Sequence, residues 1–286
     1  MKVRIPLLAA VFAVVLAFGG LVGCKLAGEP ATTEDLLVRF AANPNNANCF
    51  ADGSADIALT LGGYRMPVPV TGHLNAADGN MHATVNVDMT SFADEVRVYE
   101  AYVEQQGNSF VGYVRNTSND AAPWSEVQVD LSFTIDIPAI VDILSSARFM
   151  RASYDSDDQI CYDLTLPATS VLDAVFGRGD VSTSFWEVDR GQLEEALGDS
   201  VLHVCFNKDC LVRSVSMNVN CKYEDKKVLP RPLAINLEFQ ATMDGYGTMS
   251  KDDLVIPDSV RESAVVTDDP FDADGLTDQL EAASKR

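Results

Sequence analysis

Basic side chains are scarce in this chain. Its 286 residues carry 21 Lys and Arg against 42 Asp and Glu, a formal net charge of −21. Affinity for nucleic acid comes mainly from neutralising phosphates, so the composition excludes that class of partner. It also argues against docking onto anionic headgroups through a basic patch. Histidine is rarer still, at three residues: His73, His82 and His203. No G-x-S-x-G, H-E-x-x-H, S-x-x-K or P-loop sequence occurs, and the three histidines suggest no catalytic triad. The expectation is a protein that is not an enzyme and needs no cofactor. The 6 cysteines include no C-x-x-C pair and no zinc spacing. Past residue 21 there is no second long apolar run, hence no further membrane span.

The first 23 residues are organised differently. Lys2 and Arg4 precede an uncharged apolar run from Ile5 to Leu21, and Leu21-Val22-Gly23-Cys24 closes it. A charged start, an apolar middle and a small-residue exit make a secretion signal. Cysteine directly after Gly23 makes the exit a lipobox, which resembles the recognition site of bacterial lipoproteins. That resemblance implies a signal peptide over 1–23, a diacylglyceryl thioether on Cys24 and a tether over 24–32. It places the chain at the cell membrane, lipid-anchored on the extracytoplasmic face. An uncleaved helix is the competing reading; it too puts the bulk of the chain outside the cytoplasm. Such a compartment permits disulfides.

Beyond the tether, Thr33-Glu34-Asp35 opens a helix with Leu36, Leu37 and Phe40 on its apolar face. From Ala51 the pattern switches to period two, the mark of half-buried strands. Asp78-Gly79 suits a type I′ turn. The hairpin it makes over Val68–Met89 pairs Val70 with Val87, Leu74 with Ala83 and Ala76 with Met81. A second hairpin at Gly107-Asn108 pairs Tyr102 with Tyr113 and Glu100 with Arg115. Trp124–Phe133 and Gln159–Leu166 read as strands. Helices are expected from Pro138 to about Phe149, from Thr169 to Phe176, and from Asp189 to Leu197. In a third hairpin, Val201–Phe206 with Cys210–Tyr223, Cys205 and Cys210 face each other across a four-residue loop. That register makes them the expected disulfide. Leu233–Met243 alternates cleanly, Leu254–Pro257 reads as a last edge strand, and residues 264–286 read as an acidic disordered tail.

A helix, about ten antiparallel strands and a few inserted short helices form an α+β plan. The order resembles the LolA-like superfamily of envelope lipoproteins and lipoprotein carriers, including LppX/LprG-type lipoproteins. The resemblance rests on the opening helix, the Tyr99, Tyr102, Gly107-Asn108, Tyr113 and Trp124 block, and the Pro138 helix. It rests also on Val204-Cys205-Phe206-Asn207-Lys208-Asp209 and on the closing Leu254 to Val260. It implies a half-barrel domain over 33–263: a curved antiparallel sheet covered on its concave side by short helices. It also implies an apolar cavity that in some members holds acyl chains. Ile140, Val141, Leu144 and Phe149 of one helix would line it, with Val171, Leu172, Val175 and Phe176 of the next. The function so implied is binding of a lipid or other apolar ligand. The alternative is a structural or interaction module of the envelope with a filled core, since core and cavity use the same residue types.

Other patterns carry less. His73 and His82 lie diagonally on one hairpin face, which two solvated histidines explain without a metal. Asp269 to Glu281 resembles a calcium loop, but its first ligand position is Pro270, and an acidic terminus accounts for it. Arg178-Gly179-Asp180 and the Asn116-Thr117-Ser118 sequon are short enough to arise by chance. No metal site is expected. The anchor has a direct test: Cys24→Ala should abolish incorporation of labelled palmitate, and undiminished labelling would remove the lipoprotein reading.

Overall fold

A computed structural model describes residues 33–43, 45, 48–61, 63–91, 94–106, 109–129, 150–155, 159–169, 190–223 and 233–267. They form one large curved, unclosed sheet. Its strands are β1 (Cys49–Leu61), β2 (Tyr64–Ala77), β3 (Asn80–Asp88), β4 (Val96–Gln106), β5 (Ser109–Asn116) and β6 (Ser125–Val129). They continue as β7 (Met150–Asp155), β8 (Gln159–Leu166), β9 (Ser200–Phe206), β10 (Val212–Tyr223), β11 (Leu233–Asp244) and β12 (Val265–Val266). Eleven pair antiparallel; β12 adds to β6 in parallel. Helices α1 (Thr33–Ala41), α2 (Arg190–Leu197) and α3 (Asp258–Ser263) complete the described elements.

The strand order is β12-β6-β5-β4-β3-β2-β1-β11-β10-β9-β8-β7. It is two meanders joined back to back, with β1 against β11 at the seam. Twelve residue pairs run along that seam, from Phe50 with Asp244 to Leu61 with Leu233. The β2–β3 register is the one the turn chemistry demands. Asp78 and Gly79 take φ of 48° and 84°, the left-handed conformations of a type I′ turn, and Val70 meets Val87. A side chain on Gly79 would also strike Gln105. In the second hairpin, Tyr102 faces Tyr113 and Glu100 faces Arg115, as expected.

Period-two alternation then sorts every strand into two faces. One face carries Ala51, Ala55 and Ile57 of β1, Val70 and Leu74 of β2, and Ala83 and Val85 of β3. Phe239 and Ala241 of β11, Val215 of β10, and Leu202, Val204 and Phe206 of β9 continue it. All are buried and belong to one continuous core. Helix α1 packs on this face, with Phe40 edge-on to Phe206 at 5.8 Å between ring centres. Burying a side chain of that size is worth about 1.5–3 kcal/mol. Asn43 Nδ2 donates to the Asp209 carbonyl at 3.0 Å, fastening the helix end to the β9–β10 turn. A bidentate Arg39–Asp35 pair one turn apart braces the helix.

The opposite face is polar over most of its breadth. At β4–β6 it carries a second, smaller core of Val111, Tyr113, Trp124, Ile256 and Val260. This corrects the expected final strand. Residues 251–254 form a 3-10 turn, Val255–Pro257 is extended but unpaired, and α3 follows. Leu254 and Ile256 point in while Val255 is 63% exposed, so the alternation is genuine. It comes from an extended strap laid across the sheet rather than from ladder pairing. The edge strand is β12, whose Val265 and Val266 pair with Ser125 and Glu126. The sheet thus includes residues assigned to the tail by sequence. The helices expected from Pro138 and Thr169, the signal segment, the tether, the Arg178-Gly179-Asp180 tripeptide and the calcium-like stretch lie outside the described residues.

Candidate ligand-binding face

The apolar face has a shallow centre. Gly53 of β1 sits directly opposite Gly72 of β2, and Gly53 also faces Ala241 of β11. Ala55 and Ala83 flank this pair. Both glycines lie within their strands, outside the left-handed region. A glycine in a strand interior weakens it and marks a place where something approaches the backbone. Added to Gly72, a Cβ would lie 3.1 Å from Val85 Cγ2, so the small residue also fits the floor closely. Val70, Leu74, Val85 and Phe239 form the taller walls. The result is a shallow, part-open cleft with a cavity volume of about 30 Å³ and an almost wholly apolar lining.

The side chains that alternation turns into this cleft are hydrocarbon; Ser54 and His73, which also border it, alternate to the other face. The thiols on the buried side are silenced. Burial pushes Cys49 up to about 12. It likewise raises Cys210 and Cys221, so all three remain protonated near neutral pH. Tyr246, also raised by burial, donates its hydroxyl to the Val212 carbonyl at 2.6 Å, a structural bond at the rim of β10.

The histidines expected as solvated neighbours each find their own carboxylate. His73 Nδ1 lies 2.8 Å from Asp52 Oδ1, and His82 Nε2 lies 3.0 Å from Glu100 Oε1. His82 also stacks on Tyr102 at 4.5 Å. They form no shared site. Asn116 of the sequon is buried in β5, and its Oδ1 accepts from the Ser118 amide. The expected lining residues Ile140, Val141, Leu144, Phe149, Val171, Leu172, Val175 and Phe176 lie outside the described residues, as does Cys24.

The disulfide expectation is corrected. Cys205 is bonded to Cys161, and Cys210 is free and buried. The β9–β10 connection is longer than the sequence reading allowed. Asn207 Oδ1 accepts from the amides of Asp209 and Leu211, holding a turn in which Cys210 takes φ of 60°. Pairing begins at Phe206 with Val212 and shifts by one at a bulge, so Ser214 faces Cys205. Cys210 belongs to the main apolar core, whereas Cys205 alternates away from Val204 and Phe206 onto the other face. There it meets Cys161, its direct partner on β8. Both strands were legible in the sequence. Their adjacency was not, because a long connection separates them.

No family model matches the chain, and no curated protein matches it. Among solved structures, it aligns with a DUF1329 family protein from Desulfovibrio piger. That match has 9% identity over 82% of this chain and all of the other, with a TM-score of 0.31. It also aligns with a β-barrel-like DUF1849 protein from Brucella abortus at 7% identity, over 69% of this chain and 99% of the other, with a TM-score of 0.23. Neither is described as a LolA-like lipoprotein, and at these scores neither carries an argument about function. Non-reducing peptide mapping checks the covalent result. Cys161 and Cys205 should be recovered linked, with Cys49, Cys210 and Cys221 alkylated only after unfolding. A Cys205–Cys210 peptide would restore the shorter turn.

Proposed function

We propose that the chain is a non-catalytic, lipid-anchored extracytoplasmic protein that holds a lipid acyl chain or similar apolar ligand against the buried face of its sheet. The observation that carries this reading is the glycine- and alanine-floored cleft between β1, β2, β3 and β11, walled by Val70, Leu74, Val85 and Phe239. Gly53, Gly72, Ala83 and Ala241 keep that floor low, while Leu74, Val85 and Phe239 stand taller around it. The lipobox at Cys24 supports the anchor, and the order of elements supports the LolA-like comparison. No described helix is long and apolar enough to cross a membrane; on this reading the lipid on Cys24 is the means of attachment.

The test is native mass spectrometry of the full chain extracted in mild detergent, with uptake of a fluorescent long-chain fatty acid. Bound lipid is expected. Ala83→Leu should fill the cleft, sharply lowering occupancy while the melting temperature stays near wild type. An unliganded wild-type protein that excludes the fatty acid would refute the reading. If Ala83→Leu also cost about 1–3 kcal/mol, as overpacking does, the face would be a closed core. The chain would then be an interaction module presenting an acidic surface.

A further inference from the structure

On the polar face, far along the sheet from the cleft, β8 and β9 bring four chemically distinctive side chains together. Cys161 and Cys205 are direct cross-strand partners, and so are Asp163 and His203 one step along. His203 Nδ1 lies against Asp163 Oδ1 at 2.5 Å, and its Nε2 lies 3.3 Å from Cys205 Sγ. An ionised carboxylate can only accept, so Nδ1 carries the proton there and Nε2 is the ring nitrogen turned toward the sulfurs. The ligand atoms of Cys161, His203 and Cys205 all lie within 4.8 Å of one another. A carboxylate holding a histidine in the metal-ready tautomer is the usual outer support of a zinc ligand.

We propose that reduction of the Cys161–Cys205 disulfide opens a site for a thiolate-seeking metal ion, Zn²⁺ in the first instance. Cys161, Cys205 and His203 are its ligands and Asp163 is the positioning residue. The reduction is a two-electron exchange with a dithiol. The dithiol gives two electrons and two protons and leaves as its own disulfide; the S–S bond becomes two thiols. Binding of the ion then displaces one proton from each thiol, and His203 ligates through Nε2. Three protein ligands leave a fourth tetrahedral position for water or another donor. The remaining cysteines do not compete as ready ligands, since burial holds Cys49, Cys210 and Cys221 in the thiol form. The disulfide is therefore a gate, and metal capture reports the redox state of the surroundings.

Cobalt(II) is the probe, added to the full chain in detergent before and after treatment with a phosphine reductant. The oxidised protein should show no thiolate-to-cobalt charge-transfer absorption. The reduced protein should bind one equivalent with that absorption and a tetrahedral spectrum, bleached by added zinc. His203→Asn leaves the disulfide in place, so its fold is secure. Once reduced, it should bind at least about tenfold more weakly, and Asp163→Asn about 10–100-fold more weakly. Three outcomes would overturn the proposal: no thiolate absorption in reduced protein that keeps its far-UV spectrum, loss of the sheet on reduction, or absorption that survives in a Cys161→Ser, Cys205→Ser double variant. The last would place the metal on the buried thiols.

Discussion

Pairing of β1 with β11 is the constraint on which the rest of the molecule depends. Every other antiparallel pair in the sheet joins strands that follow one another in the chain. Local turns can set most of those registers, although a long connection separates β8 from β9. The seam cannot be set locally, because it brings residues near 50 against residues near 240. A slip of one residue there would put Phe239 and Ala241 on the face opposite Ala55 and Ile57. The apolar face would then break in two at its centre. Loop closure over such a separation is entropically costly, so long strands are needed to offset it. With twelve pairs, the seam is among the longest ladders in the sheet.

The cleft follows from the same seam. Gly53 is flanked by Gly72 on one side and Ala241 on the other only because both registers are held. The end of the seam is equally particular. Gly245, with φ of 63°, turns the chain out of β11 where any side chain would lie 2.1 Å from the Phe50 ring. Asn48 accepts the Gly247 amide through its carbonyl, tying the entry of β1 to the exit of β11. Chain entry, chain exit and cleft floor are therefore fixed together.

Much of this was legible in the sequence wherever cause and effect are close in the chain. Asp78-Gly79 dictates its hairpin, Thr33 to Phe40 its amphipathic helix, and Leu233 to Met243 its alternation. The failures share one character. Leu254 and Ile256 alternate as a strand does, yet they belong to an unpaired strap whose Ile256 packs with Trp124, and nothing local distinguishes the two. Cys205 could be placed on a strand but not beside Cys161, since that requires knowing that β8 neighbours β9. The short loop assumed after Phe206 ignored the capacity of Asn207 to organise a wider turn. Gly53 and Gly72 were visible as glycines in strands, but their meeting to form a floor depends on the β1–β2 register.

Because inward and outward residues alternate along each strand, the central claim can be tested residue by residue. The measurement is photo-crosslinking of a diazirine-bearing fatty acid to the full chain, with adducts located by mass spectrometry. The account predicts adducts on Val70, Leu74, Ala83, Val85 and Phe239. Adducts confined to the intervening outward residues, such as Thr71, Thr84 and Gln240, would contradict it.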